Sequence, residues 1–233
     1  MKGSHPLEQL LQHQQRALET LAATHPAFWE LSRSAIQLLA EMAFNKAAGL
    51  SPVTEAERVR VLLWQYALKY ETLALNLIAL PELDPAYALL RSALEACRVA
   101  TYIGDDNARA ERWLRSKLDD GVRLGSKFDQ SGSLGQLLKE LYEVTSAWGT
   151  HGHHMVLVWG ETELDARRPG MLSFSKEGIK AALGVWLSTF WMTQRVFVKS
   201  FYDTHEAAFD ELVREFDRLE KTSLPLLDAF AKE

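Results

Sequence analysis

Residues 54–80 read TEAERVRVLLWQYALKYETLALNLIAL, and this stretch decides the fold. It opens with a capping-box pattern, in which Thr54 and Glu57 satisfy exposed backbone N–H groups reciprocally and so start a helix. Apolar side chains then recur at helical spacing on one face, and a second set covers much of another face. A helix that is apolar on most sides is usually central in its bundle. We therefore predict a central helix that Pro81 ends.

Helical periodicity extends over nearly all of the chain on both sides of that stretch. The spacing predicts an all-α fold, a bundle of about seven or eight helices in a single domain over residues 1–233. One segment breaks the pattern at about residues 149–178, which hold five glycines and two short β-prone runs. We expect an irregular loop or a small hairpin insertion there. Two further helices, over about residues 176–202 and 205–231, are predicted to close the chain.

Composition narrows the classes of partner. The 26 basic and 31 acidic side chains give a net charge of −5, which provides no overall attraction for nucleic acid or anionic lipid. The longest uncharged apolar stretch, residues 181–194, is too short to span a bilayer. Nucleic acid and membrane are therefore not expected partners. A single cysteine, Cys97, together with an N-terminus that lacks an apolar leader, predicts a cytoplasmic location.

One row of charges interrupts an otherwise apolar helix. Arg91, Glu95 and Arg98 follow one another at helical spacing, so they share one face. One interpretation is an ion-pair ladder on a partly exposed edge, which stabilises a helix by a few tenths of a kcal/mol per pair. The other is the charged floor of a pocket, in which an arginine binds a small anionic ligand.

Three of the seven histidines fall within four residues, at His151, His153 and His154. Imidazole is a common metal ligand, and in an extended chain His151 and His153 would point to the same side. A divalent metal is therefore a candidate cofactor. A metal site normally needs three or four ligands, so further ligands would have to come from other helices. The unranked candidates are Glu95, Glu140, Glu143 and Glu161. Alternatively, the histidines lie at a helix C-terminus, where imidazolium groups interact favourably with the dipole.

An aromatic face lies on the first of the two closing helices and comprises Trp186, Phe190, Phe197 and Phe201, together with Trp191. Core packing or a dimer interface explains this face better than a ligand box. The sequence contains no phosphate-binding loop, no dinucleotide fingerprint and no nucleophile elbow. The familiar nucleotide-binding and serine-hydrolase classes are therefore excluded.

Two short segments resemble a known family. LRSALE at residues 90–95 is followed by YEVTS at residues 142–146 and then by a His-Gly pair. This arrangement resembles a bacterial family of helical proteins of unknown function, which pairs an Arg-Ser-x-x-Glu helix with a later helix ending in Tyr, Ser and His. The resemblance implies that four side chains meet in space: Arg91, Glu95, Tyr142 and His151.

The chain is also distantly similar to the helical HEPN superfamily, many of whose members are RNases of toxin and defence systems. The catalytic signature of that superfamily is an arginine followed, after four to six residues, by a histidine. No arginine in this chain precedes a histidine at that spacing, so the catalytic function is not expected here.

The sequence thus favours a non-enzymatic interaction or ligand-binding protein that forms a homodimer. The candidate pocket for a small anionic ligand comprises Arg91, Glu95, Arg98, Tyr142 and His151. The alternative is a metal-assisted or histidine-based hydrolase or nuclease, with a role in defence suggested by the family analogy.

Overall fold

The computed structural model describes residues 6–50, 54–80, 82–115, 133–150 and 176–231. Over these residues the protein is all-α, as the periodicity predicts, with seven α-helices and no strand. The helices are α1 (Pro6–Thr24), α2 (Pro26–Ala40), α3 (Glu55–Ala79), α4 (Leu83–Ile103), α5 (Asn107–Arg115), α6 (Ser133–Thr150) and α7 (Lys176–Ala231).

Helix α3 occupies the central position that its apolar pattern predicts, packing against α4, α7, α5, α1 and α2. The capping box is present: Thr54 Oγ1 accepts from the Glu57 N–H at 3.2 Å, and Glu57 Oε2 accepts from the Thr54 N–H at 2.9 Å. On the buried face, Trp64 stacks on Phe201 with ring centroids 5.3 Å apart. Truncating one such buried ring costs about 3–5 kcal/mol, so these contacts hold α3 and α7 together.

The apolar spacing of residues 27–48 predicts one continuous helix, and the end of α2 differs from that prediction. The α-helix ends at Ala40, and the chain continues as a π-helix (Glu41–Lys46) and a 3-10 turn (Ala47–Gly49). From α3, Gln65 Nε2 donates a hydrogen bond to the Ala43 carbonyl within the π-helix, at 3.0 Å. Because this contact comes from a helix that is distant in sequence, the apolar spacing of residues 27–48 could not predict the change to a π-helix.

Helix α7 is a helical hairpin. At His205 the backbone leaves the helical region, with φ −131° and ψ 40°. Residues 25 apart in a straight helix would be separated by about 37 Å, yet Arg195 Nε donates to Glu220 Oε1 at 3.3 Å. Trp191 likewise packs edge-on against Phe216, with ring centroids 5.2 Å apart. The predicted break between two closing helices is therefore confirmed.

The reversal in α7 is fixed to the start of α3. His205 Nε2 lies 2.8 Å from Glu57 Oε1, the same carboxyl that completes the capping box. Burial raises the pKa of Glu57, but hydrogen bonds from Thr54 and His205 outweigh this and hold that pKa below its ordinary value. Further along the hairpin, a Cβ added at Gly184 would lie only 3.2 Å from Phe230 Cβ, so a glycine permits the close approach of the two halves.

The two ends of the insertion predicted at residues 149–178 are helical. Gly149 and Thr150 belong to α6, and residues 176–178 belong to α7. The remainder, residues 151–175, lies outside the described part of the chain, so the predicted loop or hairpin stays a prediction. None of the described helices combines the length and the apolar character needed to cross a membrane.

The glycine that ends α4 provides a test of the backbone geometry. Gly104 has φ +52° and ψ −132°, a conformation that L side chains rarely adopt, and an added Cβ would meet only the Thr101 carbonyl at 3.9 Å. We expect Gly104→Ala to lower the free energy of unfolding by about 1–3 kcal/mol through backbone strain alone. Gly49→Ala is the control, because its Cβ would enter open space without strain. Equal urea midpoints for the two variants would contradict this account.

Candidate functional site

A cluster of polar side chains joins α4 to α6. Arg91 Nη2 donates to the Tyr142 hydroxyl at 3.0 Å, and that hydroxyl donates to Glu95 Oε1 at 2.9 Å. Arg91 Nε also lies 3.4 Å from the same carboxylate oxygen. Since Arg91 and Glu95 are one turn apart on α4, Tyr142 bridges them from the neighbouring helix. The structure thus brings Tyr142 into contact with two side chains that are far from it in sequence, Glu95 at 47 residues and Arg91 at 51 residues.

A second arginine completes this cluster, which we call the Arg–Tyr cluster (Arg91, Glu95, Arg98 and Tyr142). The guanidinium carbon of Arg98 lies 5.4 Å from the centroid of the Tyr142 ring, and that of Arg91 lies 5.1 Å from it. Both distances fall within the range of cation–π attraction. One phenol ring therefore contacts two guanidinium groups, while its hydroxyl donates to the Glu95 carboxylate.

The Arg–Tyr cluster is accessible from solvent but rests on an apolar floor. The side chains of Arg91 and Glu95 are 31% and 37% exposed. The floor is a small core in which Leu94, Leu138 and Leu141 are buried, and Tyr142 packs against it. Because the charged groups are partly hydrated, their ion pair contributes at most about 1 kcal/mol to stability.

Four of the five predicted ligand-binding residues therefore lie together, and the fifth, His151, lies outside the described residues. The other two predicted metal ligands, His153 and His154, are also outside them, so the metal site stays a prediction. Among the residues that the structure describes, no group of three or more His, Cys, Asp or Glu side chains could hold a metal ion. Since α6 extends to Thr150, the histidines follow that helix directly in sequence.

The aromatic face of α7 belongs to the core. Trp186, Phe190, Phe197 and Phe201 are buried, and Trp191 is 3% exposed. Trp186 stacks on Phe190 with ring centroids 4.8 Å apart. Core packing is therefore the correct interpretation of this face, and a dimer interface built on it is wrong, because no area of these rings remains to contact a second chain.

One polar site was missed by the sequence interpretation. Glu71 is fully buried in the middle of α3, where burial raises the pKa of its carboxyl to about 8, although hydrogen bonds with Thr193 and Gln194 act to lower it. The signal was present in the spacing: Glu71 falls in the same helical stripe as Ala67, Leu68, Ala74, Leu75 and Ile78, all of which are buried. An acid inside a predicted core stripe marks a buried polar contact.

Comparison with known proteins adds no relative to this picture. No protein-family model matches the chain, nor does any curated protein or solved structure.

The contribution of the Tyr142 hydroxyl to stability can be tested by a substitution that removes only its oxygen atom. Tyr142→Phe removes the bonds to Arg91 and Glu95 but keeps the ring, so we expect a loss of about 1 kcal/mol in the free energy of unfolding. Tyr102→Phe is the matched control, because its ring also lies under an arginine, 5.1 Å from the guanidinium carbon of Arg109, whereas among the described residues its hydroxyl forms no hydrogen bond. Urea denaturation of both variants measures the difference; an effect at Tyr102 as large as at Tyr142 would refute the bridge.

Proposed function

We propose that this chain is a non-enzymatic binding protein that holds a small anion at the Arg–Tyr cluster. The observation that carries the proposal is the arrangement of two guanidinium groups around one tyrosine ring, with the Glu95 carboxylate bound to the hydroxyl of that ring. This arrangement places two guanidinium groups at a surface where the Arg91 side chain is only 31% exposed. Such a surface favours a carboxylate or phosphate group over a cation.

The hydrogen-bonding capacity of Arg91 supports the same conclusion. A guanidinium has five N–H donors, and the bonds to Glu95 and Tyr142 use two of them. The remaining donors can form the parallel pair of bonds with which arginine binds a planar or tetrahedral oxyanion. Tyr142 and Glu95 hold the side chain in place, so an incoming anion meets a guanidinium that is already ordered.

The cluster favours binding over catalysis. Its side chains provide charge and hydrogen bonds, but they include no serine, cysteine or histidine that could act as a nucleophile or a base near neutral pH. The proposed relation to the bacterial helical family rests on the same side chains of α4 and α6. We expect the protein to act in the cytoplasm, where its buried cysteine, Cys97, would stay reduced.

We also propose a homodimer, formed by an exposed stripe of α3 that comprises Leu62, Tyr66, Lys69 and Leu73. The two leucines and the tyrosine are 50%, 41% and 51% exposed, respectively, although the rest of the helix is largely buried. The stripe advances by four, three and four residues, which is the spacing of a two-stranded coiled-coil seam. The partner that fits a seam of this kind is helix α3 of a second copy of the chain.

The lysine in the stripe selects the orientation of the second copy. In a parallel pair, Lys69 would face Lys69 of the second copy, and the two positive charges would repel. In an antiparallel pair with its two-fold axis between residues 67 and 68, Leu62 faces Leu73 and Tyr66 faces Lys69, which forms a cation–π contact. A single polar residue in an apolar seam is a known means of fixing register and orientation.

Calorimetric titration with inorganic phosphate and with citrate tests the anion site. We expect Arg91→Gln to weaken binding at least about tenfold, since a hydrogen bond to a charged group contributes about 1.5–3 kcal/mol. Arg115→Gln is the control, because Arg115 forms a similar pair with Glu111 one turn away, at 3.2 Å, but within the described residues no tyrosine hydroxyl bridges that pair. No heat with either anion, or equal losses in the two variants, would overturn the proposal.

Light scattering coupled to size-exclusion chromatography tests the dimer. We expect a dimer at micromolar concentration, and we expect Leu62→Glu to produce a monomer because two carboxylates would each be forced against Leu73 of the other copy. Leu224→Glu is the control, since Leu224 is equally exposed at 55% but lies on α7. A monomeric wild-type protein, or a dimer that survives Leu62→Glu, would contradict the antiparallel seam.

A further inference from the structure

The core of the bundle contains a chain of hydrogen bonds centred on Glu71. Gln194 Nε2 donates to Glu71 Oε2 at 2.6 Å, and Trp64 Nε1 donates to Gln194 Oε1 at 2.6 Å. The Glu71 backbone carbonyl accepts from Trp186 Nε1 at 2.7 Å. The other carboxyl oxygen, Oε1, is hydrogen-bonded to Thr193 Oγ1. Each of these four hydrogen bonds therefore joins a residue of α3 to a residue in the first half of α7.

The hydroxyl of Thr193 has more neighbours than it has protons. Besides Glu71 Oε1, its oxygen lies 2.9 Å from the Thr189 carbonyl and 3.1 Å from the Phe190 carbonyl. A hydroxyl carries one proton, and a carbonyl can only accept. If Thr193 donates to the backbone of its own helix, the bond to Glu71 needs a proton from the carboxyl. A neutral acid supplies a second proton, so that the hydroxyl proton is left to the two backbone carbonyls, whereas an ionised acid leaves three acceptors to share one proton.

The surroundings of Glu71 do not stabilise a negative charge. From α7, the groups that face it are Thr193, Gln194 and Trp186, all of which are neutral. From α4, the titratable group near it is the Cys97 thiol, whose own pKa is raised by burial and by its proximity to Glu71. Within the described part of the chain, no cation contributes to the electrostatics of this carboxyl. A buried carboxylate without a cation is strongly disfavoured.

We propose that Glu71 is a neutral carboxylic acid that donates its proton to Thr193 Oγ1, so that the contact between α3 and α7 is a proton-dependent lock. Loss of the proton at alkaline pH places an unbalanced charge in the core, next to two carbonyl oxygens. The contact between α3 and α7 then weakens along the surface on which Trp64 and Trp186 are packed. Since α7 is also tied to the start of α3, loosening extends towards the hairpin.

The sign of the pH dependence follows from burial. The pKa of Glu71 is raised from 4.5 to about 8 on folding, so its contribution to stability is complete below the lower value. Between these values the unfolded chain has lost the proton that the folded protein keeps, and stability falls as pH rises. The ratio of folded to unfolded protein is thereby expected to fall by up to about a hundredfold between about pH 5.5 and pH 7.5.

Urea unfolding across this pH range tests the lock. Glu71→Gln keeps the shape of the neutral acid, and its amide can donate to Thr193, so we expect the Glu71-dependent part of the slope to disappear. Glu55→Gln is the control at the start of the same helix, where the side chain is 36% exposed, and it is expected to keep the wild-type slope. The proposal is refuted if Glu71→Gln and the wild-type protein show the same slope.

Infrared spectroscopy supplies a readout that does not depend on unfolding. At pH 6 the folded wild-type protein is expected to show the C=O stretch of a protonated carboxyl, which Glu71→Gln lacks. Thr193→Val removes the acceptor and is expected to shift that band, whereas Thr193→Ser keeps the hydroxyl and the band position. Absence of the protonated band at pH 6 in folded wild-type protein, or a band that Glu71→Gln retains, would overturn the proposal.

Discussion

Burial of α3 on most of its circumference is the constraint from which the rest of the bundle follows. A helix of 25 residues that contacts α4, α7, α5, α1 and α2 must supply apolar side chains in nearly every direction. Each neighbour then takes its position from the side chains that it meets on α3. The stacking of Trp64 on Phe201 and on Phe197 shows this for α7, whose first half lies along the central helix. The hydrophobic effect is non-directional, so these ring contacts give the packing its register.

Burying a helix this deeply also encloses polar groups, and the protein satisfies them in pairs across the interface. The indole N–H groups of Trp64 and Trp186 each find an acceptor, one on the Gln194 side chain and one on the Glu71 backbone. A core of aliphatic side chains alone would need no such partners. With them, the interface gains specificity, because a shift of α7 by one turn would leave both indoles without acceptors. The same groups that constrain the core thus make it sensitive to the protonation of one carboxyl.

The surface of the bundle offers two different chemistries in two places. The Arg–Tyr cluster is polar, contains two guanidinium groups and is built across α4 and α6 over an apolar floor. The stripe on α3 is apolar except for Lys69 and belongs to a single helix, so its geometry suits another helix better than a small molecule. Because α4 packs along α3, the two features share a rigid support. A binding protein and a symmetric assembly are therefore compatible interpretations of one structure.

The amino-acid sequence by itself determined the helices, because apolar periodicity, the Thr54–Glu57 capping box and glycines at helix ends are local signals that need no partner. It also placed Arg91 and Glu95 on one face, since that follows from helical spacing alone. Only the tertiary structure decided that Tyr142 bridges them, that α2 widens into a π-helix and that the aromatic face of α7 is core. It alone decided, too, that Glu71 is fully buried and that, in the part of the chain that the structure describes, no cation lies beside it. Each of these depends on contacts between residues far apart in the chain, and side-chain periodicity records which face is buried but not which atoms it meets.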